Sequence, residues 1–409
     1  MKKILYNTFS VLMLLTTLFI TSCNEDPTAS LEGYPSANLP TPVLSTVSPT
    51  GEALAGITQI TITGSNFSTE VRNNLVFFNG VPGTTMNATP TQLTVKVPNV
   101  VSDTVIVRIA VVGATDFSNT YQYKLVPAWE VYYPLDMNTE KAYGIILDNN
   151  NNMLISISGK GIWKITPPPF DSTSKSVYVP IGTYTGKWDN FRYGPAGELY
   201  GVRTARGVWK IVEGVAPGSP WASPTTGSIL ALEFDNNQNI WALNGSNNIF
   251  KIKQDASVTS YPFTGALRAI RIFENNLYVA ATKAGVEGVW KIPITQSGDL
   301  GTEELYFDIT NIRLQTKINA IAFAADGDMI VGLDKGPNPL MVVKSNGSYE
   351  ELYAGVVAAN SVVSMYWPVN GTSLYIVRGE EKDLTGKVTV GQAPLRIEMQ
   401  KSGAPYYGL

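Results

Sequence analysis

Histidine is missing from all 409 residues, and cysteine occurs once. The first absence removes the side chain used most often as a general base and metal ligand near neutral pH. The second excludes an intramolecular disulfide and every zinc pattern built on paired cysteines. Charge is sparse as well: Asp, Glu, Lys and Arg make up 15% of the chain. The formal net charge of −3 gives no bulk attraction to nucleic acid or to an anionic membrane. Any catalysis would have to run on carboxylates, lysine, tyrosine or an oxygen-ligated metal, and no motif implies a cofactor.

Hydrophobic residues reach 44%, which favours packed cores over disorder. Glycine (36), proline (25) and tyrosine (20) are plentiful, a composition suited to short strands joined by turns. The length fits two or three domains of roughly 100–200 residues each.

Lys2 and Lys3 precede an apolar stretch from Val11 to Ile20, broken only by Thr16 and Thr17. A membrane-spanning helix needs about 20 apolar residues, so this stretch reads as the core of a signal peptide, residues 1–22. Ile20-Thr21-Ser22-Cys23 resembles the lipobox of bacterial lipoproteins. That resemblance implies lipidation of Cys23 and a membrane partner through the anchor. Glu25-Asp26 resembles the surface-export signal of Bacteroidetes lipoproteins, which implies an outer-membrane, cell-surface location. Residues 23–40, rich in Ser, Pro, Ala and Gly, read as a tether.

Residues 41–125 read as one β domain. Ile60 and Ile62 alternate with threonines, and Leu75 to Phe78 lead into an Asn79-Gly80 hairpin turn. Further runs lie at Leu93–Val97 and Val105–Val111, and Phe67 is placed to fold back into the core. Three features resemble the IPT/TIG family: Ser48-Pro49 followed by Gly51, Thr63-Gly64-Ser65-Asn66-Phe67, and Val95-Lys96-Val97-Pro98. The resemblance implies an immunoglobulin-like sandwich acting as a spacer or interaction module.

Residues 129–409 carry an internal repeat. Gly161-Ile162-Trp163-Lys164-Ile165 recurs as Gly207-Val208-Trp209-Lys210-Ile211, Ile249-Phe250-Lys251-Ile252 and Gly288-Val289-Trp290-Lys291-Ile292, with weaker copies at Leu340–Val343 and Leu395–Ile397. Each copy follows two strand-like runs separated by an Asp/Asn/Gly turn. Such repeats of about 40–50 residues indicate a β-propeller. Six copies give six blades, with five and seven as alternatives because two copies are weak. The pattern resembles NHL-type and related six-bladed propellers. The fold class is therefore all-β, a sandwich followed by a propeller, with Trp129–Tyr133 as the candidate strand closing the ring. The repeated tryptophans read as packing between blades with the lysines outward, and the Asn-rich turns as turn chemistry, not calcium loops.

Loop cations form the candidate ligand site. Lys160, Arg203, Arg206, Lys283, Lys335 and Arg378 occupy comparable inter-strand loops, and Lys187, Trp188 and Arg268 lie nearer the expected central opening. Converging cations would favour an acidic glycan, with Trp188 stacking on a sugar ring. The leading functional expectation is a surface binding protein capturing glycan or another polymer, and the resemblance to Bacteroidetes surface lipoproteins implies that it would do so for an outer-membrane importer. The alternatives are a propeller hydrolase or lactonase and a protein-interaction scaffold. Related propeller hydrolases imply a metal held by Glu, Asn and Asp. Asp189, Asn190 and Asn319 are the positional candidates, while Glu233 falls inside a strand run.

Overall fold

A computed structural model describes residues 38–182 and 186–408. Cys23, the signal segment and most of the tether lie outside the described residues. The chain divides into two compact units, one holding residues up to Glu52 with Gln59–Lys124, the other Ala53–Thr58 with Leu125–Leu409.

The first unit, with Ala53, Leu54, Leu125 and Val126 completing two of its strands, is an immunoglobulin-like sandwich. One sheet has the order 43–48, 59–65, 92–96, 84–89, and the other 52–54, 121–126, 102–111, 74–78, 81–82. Alternation places Ile60, Ile62, Leu93 and Val95 of the first sheet, and Val76, Phe78, Val105, Val107 and Ile109 of the second, in the core. Phe67 is buried beside them. Asn79 and Gly80 both take positive φ, 49° and 86°, the geometry of a tight hairpin turn that an Asn-Gly pair adopts at little cost.

The second unit is a propeller of six antiparallel sheets. Blades 1 to 5 follow one another in sequence, with inner strands Ala142–Leu147, Asn190–Tyr193, Ile229–Phe234, Ala266–Phe273 and Ile318–Phe323. Blade 6 takes its inner three strands from Val362–Tyr366, Ser373–Arg378 and Ala393–Glu398, and its outermost from Trp129–Val131. The early strand thus closes the ring, Trp129 facing Ile397 and Val131 facing Leu395. Blade 2 has three strands, and the place of a fourth is marked by a bridge from Val208 to Ala222.

Apolar clusters fill the spaces between successive blades, as repeat units require. Trp209 packs with Ile155, Ile165 and Trp188, and Trp290 with Trp241, Phe263 and Ile270. The neighbouring lysines mostly point outward, Lys164 to Glu213, Lys210 to Glu198 and Lys291 to Glu304. Lys251 departs from the outward expectation: it is 8% exposed and donates to the Gly298 carbonyl. The Asp-Asn turns are side-chain-capped. Asp148 Oδ1 accepts from the amides of Asn150 and Asn152, and Asp235 Oδ1 from those of Asn237 and Asn239.

Candidate functional site

The inner strands surround the propeller axis, and their register departs from regularity at one recurrent point. Pairing skips between Ala142 and Ile145, Ile229 and Ala231, Leu267 and Ala269, Ile318 and Ala320, and Val362 and Ser364. Each skip is a bulge, which re-aims the extra residue. Tyr143, Leu230, Arg268, Asn319 and Val363 are thereby brought to the mouth of a central cavity of about 290 Å³. Blade 2 lacks the bulge and supplies Lys187, Asp189 and Asn190 instead. Within the cavity, blades 2 to 6 contribute the small side chains Asn190, Ala231, Ala269, Ala320 and Ser364, leaving open space where larger residues would fill the axis.

Below these, Arg192, Glu233 and Arg271 stand at equivalent positions of consecutive blades, facing Tyr200, Trp241 and Tyr278 of the second strands. All three are buried, Glu233 completely. Glu233 Oε2 accepts from Arg192 Nε at 2.9 Å and lies 3.7 Å from Arg271 Nη1. Burial opposes the Arg192 charge, but Glu233 and Tyr406 outweigh it and hold its pKa above the ordinary arginine value.

The segment Gly403–Tyr407 seals this level. Arg271 Nη2 donates to the Pro405 carbonyl at 2.8 Å, and the Ala404 amide to Phe323 O at 2.9 Å. The Tyr406 ring lies 3.7 Å from the Arg271 guanidinium and 5.0 Å from that of Arg192, and stacks on Tyr366. The cavity is therefore a well floored by Arg192, which lines it.

Of the nine loop residues singled out in the sequence, Lys187 and Arg268 line the well. Lys187 pairs with Asp189 at 2.7 Å and lies 4.1 Å from the Tyr143 ring centre, while Arg268 pairs with Glu287. Trp188 must be corrected as a sugar platform. It is 3% exposed, packed edge-on against Trp209 and covered by Arg203, so neither face is open. Arg203 is buried with it, 4.1 Å from the Trp209 ring centre. Lys160 pairs with Glu140, Lys283 with Glu303, and Arg378 donates to the carbonyls of Gly391 and Ala358. Arg206 is exposed and donates to Thr225 O, and Lys335 is exposed. The rim cations are thus largely neutralised or structural, contrary to a converging positive surface.

Asp189, Asn190 and Asn319 do meet at the well, but the set does not fit a metal. Asp189 is the only carboxylate among the lining residues, and it already holds Lys187 and Thr204. Asn190 Oδ1 accepts the Leu232 amide, and Glu233 is locked between two arginines. No group of three or more Asp, Glu or Cys side chains suited to a metal occurs among the described residues.

Comparison with known proteins agrees with this architecture. Residues 42–125 match the IPT/TIG domain family. No curated protein matches the chain. Among solved structures, a Bacteroides thetaiotaomicron protein provisionally named a phosphatase aligns at TM-score 0.53 and 11% identity, over 88% of this chain and 97% of its own. A provisionally named gluconolactonase aligns at 0.50 and 12% identity, over 66% and 92%. An auxiliary nutrient binding protein from B. thetaiotaomicron aligns at 0.48 and 10% identity, over 88% and 98%. At these identities the first two likenesses concern the fold alone.

Proposed function

We propose that this protein is a lipid-anchored cell-surface binding module that captures a small polar ligand, such as a glycan end, in the central well on behalf of an outer-membrane importer. The observation that carries the reading is the well itself: bulges aim one side chain from each of five blades into a mouth, above a wall of small residues. A concave site with a few convergent polar groups is the usual form of a small-molecule site, and 290 Å³ falls just below the roughly 300–1,000 Å³ range of such sites. A binding role is favoured over hydrolysis because Asp189 and Glu233 are both engaged by cations, leaving neither poised as a base.

A glycan array on the soluble protein tests the reading. Binding is expected, and Ala320→Leu, which fills the well, should abolish it. Binding that survives this change would place the contact elsewhere. The anchor rests on the Cys23 motif: Cys23→Ser should move the protein from the membrane to the soluble fraction. Unchanged membrane retention would remove the lipoprotein reading.

A further inference from the structure

From the charge and hydrogen-bond balance of the well we infer that its ligand is a polyhydroxy carboxylate, a hexuronate or a uronate chain end, whose carboxylate meets Arg192 at the floor. The inference rests on the proposal that the well is the binding site, and adds the chemical class of what enters it.

Charge comes first. At the rim Lys187 and Arg268 each have a carboxylate of their own, Asp189 and Glu287. At the floor Arg192 and Arg271 share one, Glu233. The excess positive charge therefore lies deep on the axis, away from bulk water, where a cation interacts strongly with an anion. The remaining contacts of the floor are neutral: the carbonyls of Phe191, Ile272, Ala404 and Pro405, and the Tyr406 ring.

Donor capacity comes second. Arg192 uses Nε on Glu233 and Nη1 on Phe191 O, and Nη2 makes no hydrogen bond among the described residues. Arg192 is only 4% exposed, yet it lines the well. Asn190 Oδ1 is taken by the Leu232 amide, which turns the remaining capacity of that side chain into N–H donors. Two donor groups of this kind suit the two oxygens of a carboxylate, and a guanidinium makes the stronger, charge-assisted contact.

Acceptor capacity comes third. Asn319 Nδ2 donates to Val362 O, leaving its oxygen as an acceptor. Ser364 Oγ donates to Tyr143 O, leaving its lone pairs. Asp189 is a carboxylate. Hydroxyl groups need acceptors of this kind, so the walls suit a hydroxylated ring and the floor its carboxylate. The cavity volume limits the buried part to about one sugar ring.

Calorimetric titration of the purified protein with glucuronate, galacturonate, glucose, galactose and a short oligogalacturonide tests this. The uronates should bind at least about tenfold more tightly than the neutral sugars. Arg192→Gln should erase that margin, and Ala320→Leu should abolish binding of every sugar. Because the contact is buried, the margin should persist in 0.5 M salt, whereas rim binding would fade. Galacturonate binding comparable to the oligomer identifies the free acid as the source, and oligomer preference identifies a chain end. Equal binding of acids and neutral sugars, blocked by Ala320→Leu, overturns the carboxylate while the well stands. Sugar binding indifferent to Ala320→Leu, or no sugar binding at all, overturns both. If Arg192→Gln does not fold, the acid-to-neutral ratio of the unaltered protein decides the inference.

Discussion

Glu233 is fully buried between two arginines on neighbouring strands. Desolvating three charges is costly, and the cost is offset only while the geometry holds. Removing the shared carboxylate leaves two buried guanidiniums without their common counter-ion. Glu233→Gln should therefore lower stability by about 3–5 kcal/mol, which at roughly 2–4 °C per kcal/mol is a large fall in Tm. An unchanged melting curve would mean that the cluster does not support the axis. The clue to this cluster was present in the sequence, since Arg192, Glu233 and Arg271 interrupt otherwise apolar strand runs, and buried charges are rarely incidental. Reading sites from loops alone passed over the two arginines and set Glu233 aside because it falls inside a strand run. It also misjudged Trp188 and Arg203, because an aromatic on a loop carries no sign of whether a neighbour covers it. Here Trp209 and Arg203 do.

At the scale of elements, the blade repeat was legible because the Trp-Lys-Ile strand and the Asp-Asn turn recur with their own chemistry. The bulge was not legible. It is a property of pairing register, and Leu230, Arg268, Asn319 and Val363 share no composition that would announce it. The same limit hid the short blade 2, whose fourth strand is reduced to a bridge. Turns also carry electrostatic links. Asp328 closes the blade 5 turn and pairs with Lys344, 3.0 Å away, and with Lys401 of the C-terminal segment. Burial raises its pKa, but the two lysines outweigh burial and leave it below the ordinary carboxylate value. A carboxyl lowered in the folded state adds stability above its unfolded pKa of about 3.9 and loses it as pH falls through the folded value. Asp328→Asn should thus melt below wild type at pH 6 to 7. The gap should close on acidification below about pH 4. Melting curves across pH 3 to 7 decide this, and a gap that widens in acid would sink the assignment.

For the molecule as a whole, closure of the ring is the decisive feature. A propeller leaves no long sheet edge only when its first and last blades are joined. Here the join is three residues long: Trp129, Glu130 and Val131 on Ile397, Arg396 and Leu395, with Arg396 also paired to Glu130 at 3.1 Å. Without that strand, Ala393–Glu398 becomes an exposed edge, and Tyr132 no longer covers Tyr375. We propose that residues 129–409 fold apart from the sandwich of 41–125, and that the closing strand is what makes this feasible. A fragment spanning 127–409 should then be monomeric and melt cooperatively. A fragment spanning 135–409 should lose several kcal/mol, on the order of 10 °C in Tm at about 2–4 °C per kcal/mol, and should self-associate through the open edge. Scanning calorimetry with light scattering on the two fragments separates the cases. Equal stability would show that the interblade clusters alone hold the ring. Failure of both fragments to fold would show that the propeller depends on the sandwich and that the two are not independent domains.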